Sequence, residues 1–364
     1  MTSSASSDHP TSAEPVAEVD VSRAPSIGYI HAAAQRIAEQ AVRTPLLESP
    51  GLNDLVGGRV LLKAESLQRT GSFKFRGAFN RISQLSEAER QGGVIAFSSG
   101  NHAAGVALAA RLTGIAAVIV MPEDAPKMKI AATRAYGAEV VLIERDDDLR
   151  EKVAAELAAE RGATLVRPFD DFNIIAGQGT VGLEIVEQCE ALGVEPDAVL
   201  CPCGGGGLIS GTATALQDRW PGLPVHAAEP EGFDDTARSL ASGRRLRNTA
   251  IDGSICDALL VPTPGVLTFQ INLKRLASGF AVSDAQTEHA MIAAFQHLKL
   301  VLEPGGAVAL AALLAGRYDC GGKTTVVVAS GGNVDADLYA DVLTCGSPGG
   351  RERAAPSLGD EHDM

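Results

Sequence analysis

The chain has 364 residues, 45% of them hydrophobic and 21% charged, with a formal net charge of −14. That length can bury a sizeable core in one large domain or two lobes. The acidic balance argues against a nucleic-acid partner, which needs surplus lysine and arginine on some face, and no apolar run is long enough to span a membrane.

Residues 1 to 25, rich in Ser, Ala, Asp and Pro without periodicity, are expected to form a disordered tail, and so are residues 346 to 364. The start Met1-Thr2-Ser3-Ser4-Ala5 lacks a basic region followed by an apolar one, so no secretory signal is read. The six cysteines, Cys189, Cys201, Cys203, Cys256, Cys320 and Cys345, lack the spacing of a disulfide scaffold. Cys201-Pro202-Cys203 has no second Cys or His pair at zinc spacing, which leaves buried thiols and a cytoplasmic protein as the expectation. Arg244-Arg245-Leu246-Arg247, the one basic cluster, reads as a solvated loop.

Near-continuous runs of Val, Ile and Ala predict strands at 60–63, 94–97, 117–121, 140–143, 164–166, 198–201, 224–227 and 325–328. Ala-rich helical segments, such as 149–160 and 174–188, alternate with them. That alternation predicts an α/β fold of open, mostly parallel twisted sheets with flanking helices. Such sheets bind ligands at the carboxyl ends of their strands, and four strand ends carry unusual residues.

The first is Thr70-Gly71-Ser72-Phe73-Lys74-Phe75-Arg76-Gly77. An ordinary lysine titrates near 10.4 and is a poor nucleophile, whereas a partly desolvated one forms Schiff bases. Lys74 is flanked by two phenylalanines and shouldered by glycines, which sets it apart from a surface lysine. The second is Ser98-Ser99-Gly100-Asn101-His102, a strand end entering a helix, where unpaired N–H groups favour a carboxylate. The third is Gly204-Gly205-Gly206-Gly207-Leu208, whose backbone can wrap an anion. It fits no GxGxxG register and is followed by no Lys-Ser/Thr pair, so it reads as a phosphate cradle for a small cofactor and not as a nucleotide loop. The fourth is Ser330-Gly331-Gly332-Asn333, where a hydroxyl could meet a ring nitrogen.

Taken together with Arg43-Thr44-Pro45-Leu46, Lys63-Ala64-Glu65, Met121-Pro122, Ala125-Pro126, Ala176-Gly177-Gln178-Gly179-Thr180 and Glu303-Pro304-Gly305-Gly306-Ala307, these motifs resemble the fold-type-II pyridoxal-phosphate family of threonine and serine dehydratases and serine racemases. The resemblance runs from about Ile27 to about Leu343. It implies a two-lobed, tryptophan-synthase-β-like fold, with residues 26–92 plus 170–345 as a large cofactor-binding domain and 93–169 as a small one. It implies pyridoxal 5'-phosphate held by Lys74 as a Schiff base, with Phe73 walling the ring, Asn101 on the phenolic oxygen, Gly204, Gly205, Gly206, Gly207 and Leu208 on the phosphate, and Glu303 and Ser330 completing the cofactor site. Ser98, Asn101 and His102 would take the substrate carboxylate, with Arg150 at the mouth. Ser99 would be a second acid/base on the face opposite Lys74.

Glu229-Pro230-Glu231-Gly232-Phe233-Asp234-Asp235 matches a further pattern of the family, in which Glu229, the Phe233 carbonyl and Asp235 would hold Mg, Mn or Ca. The implied activity is ammonia-lyase: L-threonine and/or L-serine to 2-oxobutyrate or pyruvate and ammonia, by a homodimer acting on a free amino acid. Serine racemase and L-threo-3-hydroxyaspartate ammonia-lyase are the family alternatives. A non-catalytic amino-acid binder is the alternative from another class, disfavoured because a binder has no use for a Schiff-base lysine.

Overall fold

The structure, a computed structural model, describes residues 24–345 except 99, 126, 145, 146 and 251. The expected tails lie outside the described residues but for Ala24 and Pro25. Ten strands occur in chain order: β1 (Leu46–Leu47), β2 (Arg59–Ala64), β3 (Val94–Phe97), β4 (Ala117–Pro122), β5 (Glu139–Ile143), β6 (Thr164–Leu165), β7 (Ala198–Pro202), β8 (Val225–Pro230), β9 (Ser278–Val282) and β10 (Thr324–Ala329). They form a six-stranded sheet in the order β1-β2-β10-β7-β8-β9 and a four-stranded sheet in the order β5-β4-β3-β6. Every pairing is parallel except β1 with β2. This is the α/β architecture expected.

The continuous apolar runs have a simple cause: both faces of the larger sheet are covered. Val60, Leu62, Leu200 and Val327 point into one apolar cluster, with helices Asp284–Ala293 and Pro304–Leu314. Leu61, Val199, Val326 and Val328 point into the other, with helices Phe172–Ala191 and Gly207–Arg219. Alternate residues of a strand face opposite sides, so a strand buried on both needs no polar positions. Each such side chain contributes about 1.5–3 kcal/mol by burial.

Two strands were not anticipated. β1 has only two residues, and β9 reads Ser-Gly-Phe-Ala-Val, opening on two residues that break the apolar run. β9 is a strand because β8 offers it a parallel edge, from His226 opposite Ser278 to Pro230 opposite Val282.

Helix Phe172–Ala191 starts at Asp171, whose Oδ1 accepts from the amides of Asn173 at 2.8 Å and Ile174 at 2.9 Å. It crosses helix Lys74–Ile82 so closely that a Cβ on Gly177 would lie 2.6 Å from Gly77 Cα. Glycine at both crossing points lets the lysine-bearing helix sit against the long one. Among the described residues no helix is long and apolar enough to cross a membrane. Cys189, Cys201, Cys203, Cys256 and Cys320 are free and buried. Burial pushes the thiols of Cys201 and Cys203 well up, away from thiolate chemistry.

Candidate active site

Lys74 begins its helix just after a turn stitched to the end of β10. Thr70 (φ 60°) and Gly71 (φ 73°) turn left-handed. Asn333 Nδ2 donates to the Thr70 carbonyl at 2.7 Å, Gly332 N–H to Gly71 O at 2.9 Å and Phe73 N–H to Ser330 O at 3.1 Å. Two sequence-distant strand ends, those of β2 and β10, are thereby brought together, as their parallel register requires.

The Lys74 ammonium donates to the Pro168 carbonyl at 3.0 Å and lies 5.1 Å from the Phe73 ring centroid. Burial lowers its pKa to about 8, with Glu303 pulling the other way. Two residues on, Arg76 is fully buried and ion-paired to Glu65 at 2.8 Å and Glu184 at 2.6 Å. Burial opposes its charge, but the two carboxylates outweigh that and hold it firmly protonated. Breaking a buried pair of this kind costs about 3–5 kcal/mol, because a lone charge is left behind.

Across the cavity from Lys74, β3 ends at Phe97, just before Ser98, and helix Asn101–Thr113 begins soon after. Ser98 Oγ accepts from the Gly100 amide at 3.1 Å. Asn101 is buried; its Oδ1 accepts from Asn333 Nδ2 at 2.7 Å and its Nδ2 donates to Glu303 Oε1 at 2.5 Å. His102 Nε2 lies 3.0 Å from the Val166 carbonyl. Burial, with the nearby Lys74 charge, drops the His102 pKa to about 3, so its imidazole is neutral. Ser99 lies outside the described residues.

β7 delivers the glycine loop to the start of helix Gly207–Arg219, whose first N–H groups have no partner within the helix. Gly206 sits at φ 92°. A Cβ on Gly205 would collide with the Phe169 ring, and one on Gly207 would come 3.1 Å from Phe169 Cα. Thr268 Oγ1 donates to Gly205 O at 2.6 Å. The run of glycines is thus needed for packing under Phe169 as well as for open amides.

These pieces line one cavity of about 370 Å³, the size of a small-molecule site. Lys74, Phe73, Ser98, Asn101, His102, Arg150, the residues 204–208, Glu303 and Ser330 all line it. The structure therefore brings together every described residue singled out for cofactor and substrate. The groups present fit pyridoxal phosphate: a lysine of lowered pKa, open helix-start amides, and a buried hydroxyl at Ser330. Glu303 Oε2 and His102 Nδ1 are buried without hydrogen-bond partners.

Phe169 makes apolar wall. Several other lining residues were not anticipated: Phe97, Leu259, Leu260 and Val261 extend that wall, and Lys129 and Asp257 sit beside Glu303. Lys129 is nearly identical in local sequence to exposed Lys127; only its place beside buried Ile130 and Thr133 on one helix face marks it. The basic cluster is a loop with Arg244 and Arg247 exposed, as expected, and its Arg245 and Arg247 also line the cavity. Their segment is pinned by Asn248, which is buried, takes an N–H bond to Pro262 O at 2.8 Å and donates Nδ2 to Val261 O at 2.9 Å.

The acidic segment is equally well built. Glu229, at the end of β8, is fully buried and accepts from the amides of Thr236 at 2.9 Å and Ala237 at 2.8 Å. Asp235 is also fully buried; Oδ1 accepts from Asn248 Nδ2 at 2.7 Å and Oδ2 has no partner. Burial pushes both carboxyls up, and for Glu229 the neighbouring Asp235 adds to it. Among the described residues no group of three or more His, Cys, Asp or Glu side chains converges on a metal position.

An α/β fold of parallel sheets, with a desolvated lysine facing a glycine-loop cradle at the strand ends, defines a carbonyl-cofactor enzyme. Residues 37–331 match the family described as pyridoxal-phosphate dependent enzyme. The chain is 40% identical over 321 residues to an L-threo-3-hydroxyaspartate ammonia-lyase of Saccharomyces cerevisiae, covering 88% of this chain and 97% of that one. It is 42% identical over 316 residues to an L-threonine ammonia-lyase of Thermotoga maritima, covering 86% and 77% respectively. The solved structure of maize serine racemase superposes with a TM-score of 0.83 at 37% identity, covering 88% of this chain and 97% of that one. The chain belongs to the pyridoxal-phosphate-dependent enzymes of fold type II.

Proposed function

We propose that this enzyme is a β-hydroxy-amino-acid ammonia-lyase acting on L-threonine and/or L-serine. The observation that carries the reading is Lys74: an ammonium with its pKa lowered to about 8, aimed into a cavity whose other walls are open amides and fixed amides of Asn101 and the glycine loop. The apolar wall of Phe97, Phe169, Leu259, Leu260 and Val261 suits a substrate with a methyl group and no second charge.

Pyridoxal phosphate, when bound, withdraws electrons from the substrate's α-carbon and makes its proton removable. The protein's share is positioning and proton handling. Lys74 would hold the cofactor covalently and, once released, take the α-proton as general base. The amides of residues 204–208 would hold the phosphate, and Asn101 would meet the phenolic oxygen. Ser330, a neutral hydroxyl, would face the pyridine nitrogen and leave it unprotonated. Ser98, Asn101 and the His102 backbone would orient the carboxylate, with Phe73 walling the ring. Loss of water across Cα–Cβ leaves an enamine that takes up water to give the keto acid and ammonia.

The same reading takes 26–92 with 170–345 as the large lobe and 93–169 as the small one, since the four strands of the smaller sheet all fall between 94 and 165. It takes Glu229, the Phe233 carbonyl and Asp235 as a divalent-cation site, supported by the orphan Asp235 Oδ2. It takes the working unit as a cytoplasmic homodimer, the compartment supported by five free cysteines.

Arg150, on the cavity wall, favours a second reading, in which its guanidinium grips the distal carboxylate of L-threo-3-hydroxyaspartate. Racemisation is the third and turns on Ser99. One panel separates them: L-serine, L-threonine and both 3-hydroxyaspartates, assayed for keto acid and for D-amino acid. Keto acid chiefly from threonine and serine supports the first reading; a strong preference for hydroxyaspartate, or D-amino acid as main product, replaces it.

A further inference from the structure

A second lysine enters the site from the smaller sheet's side. Lys129 lies on helix Lys127–Ala135, after β4, with its side chain 8% exposed. Its ammonium is 2.6 Å from Asp257 Oδ2 and 3.8 Å from Glu303 Oε2, both on segments belonging with the larger sheet. It also lies directly under the Ser98–His102 turn: a Cβ on Gly100 would come 3.2 Å from Lys129 Nζ. Lys129 therefore joins the two walls of the cavity at the place where the Asn101 loop rests.

The contact continues inward. Glu303 accepts from Asn101 Nδ2 through Oε1, and Asn101 Oδ1 accepts from Asn333 Nδ2, which also donates to the Thr70 carbonyl. Thr70 O and an ionised Glu303 can only accept, so the chain fixes which way the Asn101 amide faces and leaves its second Nδ2 hydrogen for the cavity. A protonated Glu303 could donate instead, and the Asn101 orientation would lose one of its two constraints.

We propose that Lys129 is a positioning residue of this site: with Asp257 it ties the two walls together, and through its ion pair with Glu303 it helps hold Asn101 facing the cofactor. The proposal rests on the cofactor reading above. The groups acting on Glu303 are few: Lys129 from its helix, Asp257 from the 252–263 segment, and Lys74 from helix Lys74–Ile82, while Asp335 beyond β10 acts on Lys129. Burial pushes Glu303 up to about 7; Lys129 holds it down and Asp257 pushes it further up. The two partners therefore have opposite signs.

The test is the pH dependence of kcat in the holoenzyme, for wild type, Lys129→Met, Lys129→Arg and Asp257→Asn, with the visible cofactor band and its bleaching by borohydride recorded for each. Lys129→Met should move the acidic limb to higher pH by about one unit or more, because Glu303 then ionises later. Lys129→Arg should return it most of the way. Asp257→Asn, which alters a side chain 38% exposed and so need not disturb folding, should move the limb to lower pH. Limbs that stay in place, or that move the same way in Lys129→Met and Asp257→Asn while the band remains, overturn the proposal alone. A wild-type protein with no borohydride-sensitive band overturns the cofactor reading and the proposal with it.

Discussion

The ammonium of Lys74 donates to the main-chain carbonyl of Pro168, 3.0 Å away and 94 positions along the chain. That one bond joins the helix after β2 to the segment after β6, whose next residue, Phe169, packs against the glycine loop. It also keeps the ammonium at the cavity wall, where burial can lower its pKa.

The lowered pKa sets a pH dependence for loading. Lys74 of the cofactor-free protein must lose its proton before it attacks an aldehyde, and half of it does so near pH 8. The rate of capture of pyridoxal phosphate should rise roughly tenfold per pH unit below that point and level off above it. Stopped-flow absorbance on cofactor-free protein measures this; a rise that continues unbroken towards the ordinary lysine range, near 10.4, would contradict it. The sign for stability follows too. A lysine whose folded pKa is depressed is protonated more fully in the unfolded chain, so Lys74 weakens the fold below about pH 8 and ceases to do so as pH rises towards 10.5.

Gly205→Ala tests whether the loop needs glycine for packing. The added methyl would meet the Phe169 ring. Overpacking of this sort destabilises by about 1–3 kcal/mol, and the loop amides would shift with it. The expected result is a lower melting temperature and weaker cofactor retention, with Gly205→Ala/Phe169→Ala recovering part of both. Equal cofactor affinity in Gly205→Ala and wild type would show that the loop tolerates a side chain.

The proposed cation site predicts a chelator-dependent difference. Wild type should lose melting temperature on treatment with a chelator and regain it with magnesium or manganese, because without a cation two buried carboxyls, each disfavoured as an anion by burial, adjoin one another. Glu229→Gln/Asp235→Asn should show no response to either. A wild type as indifferent as the double variant removes the cation from the description.

Much of this could be read from the chain, and the limits have physical causes. Eight strands announced themselves as largely apolar runs, because both sheets pack apolar clusters on their two faces; β9 did not, since its identity comes from the edge β8 presents. Lys74, Asn101, the glycine loop and Ser330 stood out because each breaks the local apolar pattern at a strand end. Lys129 and Asp257 carry no such mark. They reach the cavity only through the approach of two sheets, and local sequence does not record it. That Arg245 and Arg247 also line the cavity was not legible for the same reason: the adjoining Asn248 is held by hydrogen bonds to the distant carbonyls of Val261 and Pro262.

Arg150→Ala separates the substrate readings. Wild type should have the higher kcat/KM for L-threonine than for L-threo-3-hydroxyaspartate, and the variant should lose activity on hydroxyaspartate, by roughly tenfold or more if the guanidinium bonds the distal carboxylate. A strong wild-type preference for hydroxyaspartate that vanishes in the variant would reassign the substrate and leave Lys74 its place.

The most direct measurement is of the covalent bond itself. Purified wild-type protein loaded with pyridoxal phosphate should absorb in the visible, lose that band on borohydride treatment, and yield one modified peptide, carrying the reduced cofactor on Lys74. Lys74→Ala should show neither the band nor the modified peptide, and its turnover should fall by roughly 10²–10⁴-fold or more. A modified peptide at Lys129 or any other lysine, or normal turnover in Lys74→Ala, would contradict the assignment.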